Sequence, residues 1–317
     1  MIGSARPRAR SISSRANSAG ADGARDAAPR ADGARPIASG PVVVKLGGRA
    51  LEGPDAMREL ARDLAVVEGG AVLIHGGGAE VSAWCDRLGI EPSFARGRRV
   101  TDDRTLEVAV AVLAGLANKR LVAALRDGGL DAVGLAALDG IACAVPHADA
   151  AELGEVGEIW CVAPALLRLL LAAGRVPVLA SIAAHGARLL NVNADDLAGA
   201  VAAGIGARAL VLLSDVPGVS LDGRIAAKLG REQLESALAG PDVTGGMIPK
   251  LSAARAALDG GVPRVCITAW EGQGTLTSAL RGRGAGTRIV NDPKCCGEVA
   301  AGVSAAGPDA ADEERHA

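Results

Sequence analysis

The chain is expected to fold as an α/β protein around a largely parallel sheet. Three features of its 317 residues point there. Short apolar runs recur through the middle of the chain, segments with helical apolar spacing lie between them, and glycines cluster where several runs end. Strands buried on both faces of a parallel sheet read as continuous apolar runs, as several of these do.

The first run, 42–45, is three valines and a lysine, closed by Gly47-Gly48. Its β-branched side chains suit a buried, pleated strand. Segment 55–67 is helix-like, and Ala71–His75 is a second strand, closed by Gly76-Gly77-Gly78. Helical patterns follow at 80–88 and, at greater length, 103–126. Strands at 131–135 and 176–179 bracket a helix at 164–173. A helix at 195–203 leads to the strongest apolar run, 209–213. Helices at Arg231–Ala239 and 250–259 precede a last strand at 264–268. Pro249 fits near the first turn of the second of these helices. With three Trp, one Phe and no Tyr, the core has to be built from Val, Leu, Ile and Ala.

The two ends read differently. Residues 1–38 hold seven Arg and three Asp among Ala, Ser, Gly and Pro. Such a segment buries too little apolar surface to offset its ordering entropy, so a disordered tail is expected. An organellar transit peptide shares the Arg/Ser bias, but the three Asp and the missing apolar face count against one. Residues 292–317 are expected to form a flexible tail.

Composition narrows the function. A net charge of −2 and a pI near 6.1 argue against a nucleic-acid clamp or a polybasic membrane binder. The scarcity of aromatic rings argues against a base-stacking platform. No uninterrupted apolar run approaches the roughly 18 residues that span a bilayer. The six cysteines (85, 143, 161, 266, 295 and 296) form no C-x-x-C pair, which removes support for a zinc ribbon or thioredoxin-type site. Scattered, reduced cysteines suggest the cytoplasm. Only five of the 34 basic residues are Lys, so each Lys stands out, Lys45 and Lys250 above all.

In open parallel sheets, ligands bind beyond the carboxyl ends of the strands. Six constellations fall at such places. Lys45-Leu46-Gly47-Gly48 offers a point charge and glycine N–H groups to an anion, though it is no Walker A motif. His75-Gly76-Gly77-Gly78 opens a helix and exposes N–H groups; His75 itself reads as structural. Arg98-Arg99-Val100-Thr101-Asp102 offers a guanidinium for a carboxylate and, in Thr101 or Asp102, a helix cap. Asn191-Val192-Asn193-Ala194-Asp195-Asp196 offers amides and carboxylates, some of them needed as a cap and first-turn acids. Ser214-Asp215-Val216-Pro217-Gly218 reads equally as a nucleotide-binding edge or a type II turn. Thr244-Gly245-Gly246 precedes Lys250 at a helix start and suits polyphosphate.

The order of these strings is far more specific than any one of them. K-L-G-G, H-G-G-G, G-R-R-V-T, N-V-N-A-D, S-D-V-P-G and T-G-G-M-x-x-K resemble the amino acid kinase superfamily and, within it, the N-acetyl-L-glutamate kinases, over roughly residues 40–290. The resemblance implies a three-layer sandwich in two lobes, with 39–205 binding the acyl amino acid and dimerising and 206–291 binding ATP. It implies ATP-dependent phosphorylation of the γ-carboxylate of N-acetyl-L-glutamate, with Mg²⁺ held through ATP and by no protein side chain. Lys45 and Lys250 would stabilise the transferring phosphoryl group and Asp195 would hold both lysines. Gly77, Gly78, Arg99 and Asn191 would bind the acyl amino acid. Arg98 stands where the family more often has an apolar residue, which leaves the choice between the two arginines open. Gly47, Gly48, Ser214, Asp215, Asp242, Val243 and Thr244 would contact ATP.

The implied chemistry is self-consistent. A γ-carboxylate is already ionised at neutral pH, so no general base is required. The transfer needs charge neutralisation on a phosphoryl group passing between two anionic oxygens. Residues 1–38 lack the apolar helix of the hexameric, arginine-inhibited members, so a homodimer without arginine feedback is expected. The rivals are a kinase of carrier-linked α-aminoadipate and a non-catalytic regulator with the same fold. The third glycine after His75 and the N-V-N-A-D string disfavour the first; the intact lysines, Asp195 and glycines disfavour the second.

Overall fold

Eight strands form the central sheet of the computed structural model, which describes residues 40–47, 53–95 and 97–292. Across the sheet their order is Lys228–Leu229, Thr287–Val290, Arg264–Ala269, Ala209–Ser214, Val42–Leu46, Ala71–His75, Val176–Ala180 and Ala132–Ala136. Neighbours are parallel except where Arg264–Ala269 meets Thr287–Val290. The expected α/β class and largely parallel sheet are what the chain adopts. The expectations for 1–38, for 293–317 and for Gly48 lie outside the described residues.

Val42–Leu46 is central because every side chain in it is buried. Successive residues of a strand face opposite sides. Val43 therefore joins Val72, Ile74, Leu210 and Leu212 in one core, packed with Leu197 and Leu251 from the helices on that side. Val42 and Val44 join Leu73, Val211 and Leu213 in the other, under Leu60, Leu125 and Leu276. Each such side chain contributes about 1.5–3 kcal/mol on burial, which aliphatic residues supply without aromatic help. The sheet thus lies between two helical layers. A buried carboxylate, Asp63, accepts the backbone N–H groups of Gly274 and Leu276 at 2.8 and 2.9 Å and so holds the start of the helix Thr275–Arg281.

Three features differ from or add to the sequence expectations. First, 103–126 is not one regular α-helix: Asp103–Val110 passes through a π-helical stretch, Ala111–Ala117, into Asn118–Asp127. The stretch borders the functional cavity, which Leu113 within it helps to line, and π-helical turns are frequent at functional sites. Asp102 caps Asp103–Val110, accepting Thr105 N–H at 2.8 Å, and that bonding holds the Asp102 carboxyl below the usual range. Second, this same Asp103–Asp127 helix is long and apolar enough to cross a membrane by length and composition. Here it packs on the helices Pro54–Ala65 and Gly78–Arg87 and on the sheet. Counting uninterrupted runs missed it because isolated charged residues break the run without much lowering the average.

Third, a four-stranded sheet had not been foreseen. Its order is Ala142–Pro146, Val156–Val162, Arg188–Val192, Ile182–His185. Its strands mix buried with half-buried or exposed positions, so they differ from the fully buried strands at the centre of the main sheet. This sheet is what brings Asn191 and Val192 to the functional cavity.

Candidate active site

The site is organised by one carboxylate between two ammonium groups. Lys45 Nζ lies 2.9 Å from Asp195 Oδ1, and Lys250 Nζ lies 3.5 Å from Asp195 Oδ2. Lys250 Nζ also donates to Gly246 O at 3.3 Å. Each partner is placed by its own element. Lys45 sits in register between Leu212 and Ile74, near the carboxyl end of the central strand. Asp195 lies in the first turn of Ala194–Ile205, where the helix dipole favours a negative charge. The cap of that helix is Asn193, whose side chain accepts the N–H groups of Asp195 and Asp196 at 2.8 and 3.2 Å, so neither aspartate is spent on capping. Lys250 comes from the first turn of Met247–Asp259.

Glycine matters at two places beside this cluster. Gly47 donates its N–H to Leu213 O at 2.9 Å, and a Cβ on it would come within 2.6 Å of Lys45 Nζ. Gly77 begins the helix Gly78–Arg87, and a Cβ there would stand 2.8 Å from Leu113 in the π-helical stretch. At both places a methyl group would displace the tip of a neighbouring side chain that borders the site.

A cavity of about 760 Å³ opens next to the cluster, lined by Lys45, Asp195, Gly47, Gly77, Gly78 and Asn191, among others. Lys250 reaches the cluster through Asp195 and is not part of that lining. Both arginines of the G-R-R-V-T string face the cavity. Arg99 is buried; its Nη2 donates to Gly78 O at 2.7 Å and to Ser82 Oγ at 2.6 Å, and its guanidinium stacks over Phe94 at 4.7 Å. Its Nη1 is buried without a partner, and burial pulls its ionisation below the ordinary arginine value. Arg98 pairs with Asp196, Nη2 to Oδ2 at 2.9 Å, and its Nη1 is likewise unpartnered. Burial pushes the Asp196 carboxyl up, against the pull of Arg98. Two cationic donors with a free N–H each suit a ligand carboxylate.

Asn191 donates to Thr101 Oγ1 at 3.2 Å, which leaves its carbonyl oxygen for a ligand. His75 behaves as a structural residue. Its Nδ1–H donates to Gly76 O at 2.8 Å and its Nε2 accepts from Asn118 Nδ2 at 3.1 Å, a pattern that requires neutral imidazole. Burial pulls its pKa below the ordinary 6.5.

The residues expected at the nucleotide are less tightly gathered. Ser214 ends its strand buried and donates to Asp215 Oδ1 at 3.1 Å; Asp215 lines the large cavity. Asp242 lines a second cavity, of about 390 Å³, and its Oδ2 accepts Asp222 N–H at 3.2 Å. Val243 is in the core, and Thr244 O accepts Met247 N–H at 3.2 Å. Gly218 does not adopt the positive φ of a type II turn; a Cβ there would stand 2.7 Å from Thr287 Oγ1. Ser181 was missed by sequence reasoning, yet it lines the large cavity directly after the strand Val176–Ala180. The strand-end rule that flagged Lys45 and Ser214 applies to it, but no glycine marks the place. Among the described residues no group of three or more His, Cys, Asp and Glu side chains is placed to hold a metal ion.

A largely parallel α/β sheet with one lysine at a strand end, a second in the first turn of a helix and successive glycines beside them suits phosphate chemistry. Residues 40–269 match the amino acid kinase family, and the chain belongs to it. Within the family its similarity runs to acetylglutamate kinases. It is 44% identical over 253 residues to that of Methanopyrus kandleri, covering 76% of this chain and 98% of the relative. It is 38% identical over 257 residues to that of Geobacillus kaustophilus, covering 78% and 95%. Among solved structures, N-acetylglutamate synthase from Neisseria gonorrhoeae, complexed with coenzyme A and N-acetyl-glutamate, matches with a TM-score of 0.70 and 29% identity, over 81% of this chain and 60% of that one. Carbamate kinase from Giardia lamblia bound to AMP-PNP matches with a TM-score of 0.61 and 15% identity, over 81% and 100%, a likeness of fold.

Proposed function

We propose that this protein transfers the γ-phosphoryl group of ATP to the γ-carboxylate of N-acetyl-L-glutamate, forming N-acetyl-L-glutamyl 5-phosphate for arginine biosynthesis. The observation that carries this reading is the meeting of Lys45 and Lys250 on Asp195, at the edge of a cavity that also presents Arg99. The acetylglutamate kinase relatives cover most of the chain and do not favour an aminoadipate kinase.

Two lysines against one aspartate leave a positive charge at the place where the phosphoryl group moves. Lys45 and Lys250 would neutralise its equatorial oxygens while Asp195 keeps their ammonium groups from diverging. Arg99 Nη1, with Arg98 Nη1 beside it, would take the α-carboxylate, and Asn191 the acetamide region. Gly77 and Gly78 would let the ligand approach the start of their helix, and Gly47 and Gly48 would line the phosphates. Ser214, Asp215 and the 242–244 segment would hold the nucleotide. Asp195 already spends an oxygen on each lysine, so Mg²⁺ would be held by the phosphates of ATP, where it would offset charge on the leaving group. Closure of an N-lobe, 39–205, on a C-lobe, 206–291, would exclude water from the acyl phosphate.

We further place the protein in the cytoplasm as a homodimer without arginine feedback. Leu116, Leu121 and Val122 of Asp103–Asp127 are only half-buried within the chain, which leaves some apolar surface for a second copy. The deciding experiment is ADP release with N-acetyl-L-glutamate, L-glutamate and aminoadipate derivatives side by side, with hydroxylamine trapping of the acyl phosphate. Turnover and trapping with N-acetyl-L-glutamate support the reading; turnover with an aminoadipate derivative alone, or with none of them, refutes it.

A further inference from the structure

Cys143 and Cys161 share no motif in the sequence, yet the fold sets them side by side. Cys143 lies on the terminal strand Ala142–Pro146 of the smaller sheet, and Cys161 lies opposite it on the antiparallel strand Val156–Val162. Both are exposed, whereas Cys85 and Cys266 are buried. Directly opposed residues of an antiparallel pair share a face, with Cβ atoms about 4.5–5.5 Å apart. Residues paired in this way have Cα atoms about 4.5–5.5 Å apart, within the about 4.4–6.8 Å that a disulfide spans. The neighbouring Cys161 pushes the ionisation of the Cys143 thiol up. The ladder shifts register just past the pair: Ala144 faces Ile159, and Trp160, 75% exposed, is the extra residue. Such a bulge bends the strand and interrupts the ladder beside the pair.

We propose that Cys143 and Cys161 form a reversible redox modification site, in which a small-molecule disulfide of the glutathione type oxidises the pair to an intramolecular disulfide. The thiolate of one cysteine attacks the small disulfide RSSR, forms a mixed disulfide and expels RS⁻, which takes up the proton that the cysteine lost. The second cysteine then loses its proton and attacks the protein sulfur of the mixed disulfide, expelling the other RS⁻, which is protonated in turn. Two protein thiols are oxidised to one disulfide and RSSR is reduced to two RSH. The bond ties the terminal strand to the strand whose first residue, Val156, lines the large cavity.

The test uses the full chain carrying Cys295→Ser and Cys296→Ser, so that this adjacent pair does not contribute. The folded protein is treated with oxidised glutathione, remaining thiols are alkylated, and the digest is mapped by mass spectrometry. The expected product is a single linked peptide pair containing residues 143 and 161, two hydrogens lighter than the dithiol, free of glutathione and reversed by dithiothreitol. Tryptophan emission should fall as the disulfide forms beside Trp160, and Cys143→Ser should abolish that fall. The proposal is overturned if both cysteines stay fully alkylatable, or if each ends as a separate glutathione adduct with no link between them.

Discussion

Lys45 Nζ and Asp195 Oδ1 stand 2.9 Å apart, and both side chains are more than nine-tenths withdrawn from solvent. The same carboxylate faces Lys250 across its other oxygen. This is a buried cluster with one anion and two cations, so its stability depends on Asp195 more than on either lysine.

Replacing Asp195 therefore separates stability from catalysis. Asp195→Ala leaves the buried Lys45 and the half-buried Lys250 without their counter-charge and should cost about 3 kcal/mol or more by denaturant titration. Asp195→Asn keeps the shape, and the helix keeps its Asn193 cap. It should fold with a smaller loss while kcat falls by about 10²-fold or more. An Asn variant with parental kcat would remove Asp195 from the mechanism.

Lys45→Met and Lys250→Met test the phosphoryl contacts. Each should lower kcat by about 10²–10³-fold in an ADP-release assay, with a much smaller change in KM for N-acetyl-L-glutamate. Near-parental turnover in either would contradict the assignment.

At Gly47 the obstacle to a methyl group is the tip of a flexible side chain, Lys45 Nζ at 2.6 Å, with Leu213 O next at 3.2 Å. Gly47→Ala should accordingly fold with a Tm close to the parent and lose activity, because the ammonium is what yields. A large Tm drop with unchanged kcat per folded molecule would show that the backbone, not Lys45, gives way.

The two arginines should separate by KM. Arg99→Lys loses the forked contact to Gly78 O and Ser82 Oγ as well as the free Nη1, and should raise KM for the acyl amino acid more than tenfold. Arg98→Leu frees Asp196 from its partner and should raise KM less. The reverse ranking would hand the carboxylate to Arg98.

His75 predicts a pH dependence. Its folded pKa is lowered by burial, while an unfolded histidine titrates near 6.5. Below that pH the unfolded chain binds a proton that the native chain refuses, so stability is lost as pH falls from 6.5 toward the folded pKa. The slope from this residue is at most about 1.4 kcal/mol per pH unit. Protonated Nε2 would also face the Asn118 amide as donor against donor. Denaturant titrations between pH 7.5 and 5.5 should show the loss, and it should be absent in His75→Gln.

Strand ends and glycine clusters were readable because they are local. Three valines before Lys45, the apolar alternative to an aromatic core, and glycines directly after a run each express a preference of a few adjacent residues. The smaller sheet was not readable, because 142–146 and 156–162 are apolar or nearly so yet only partly buried, and no glycine cluster or helical spacing marks where they pair with one another and with 188–192. The π-helical turn at Ala111–Ala117 was hidden for a related reason: its apolar spacing resembles that of an α-helix.

Adjacent aspartates give the clearest division. Composition and spacing placed Asp195 and Asp196 together in a first helical turn and set both lysines near strand or helix ends. Which carboxylate meets the lysines depends on the rotation between successive helical residues, which turns Asp195 toward Lys45 and Lys250 and Asp196 toward Arg98. Local preferences select the elements; the partners of a charged side chain are chosen only when packing of whole faces fixes how those elements are rotated against one another.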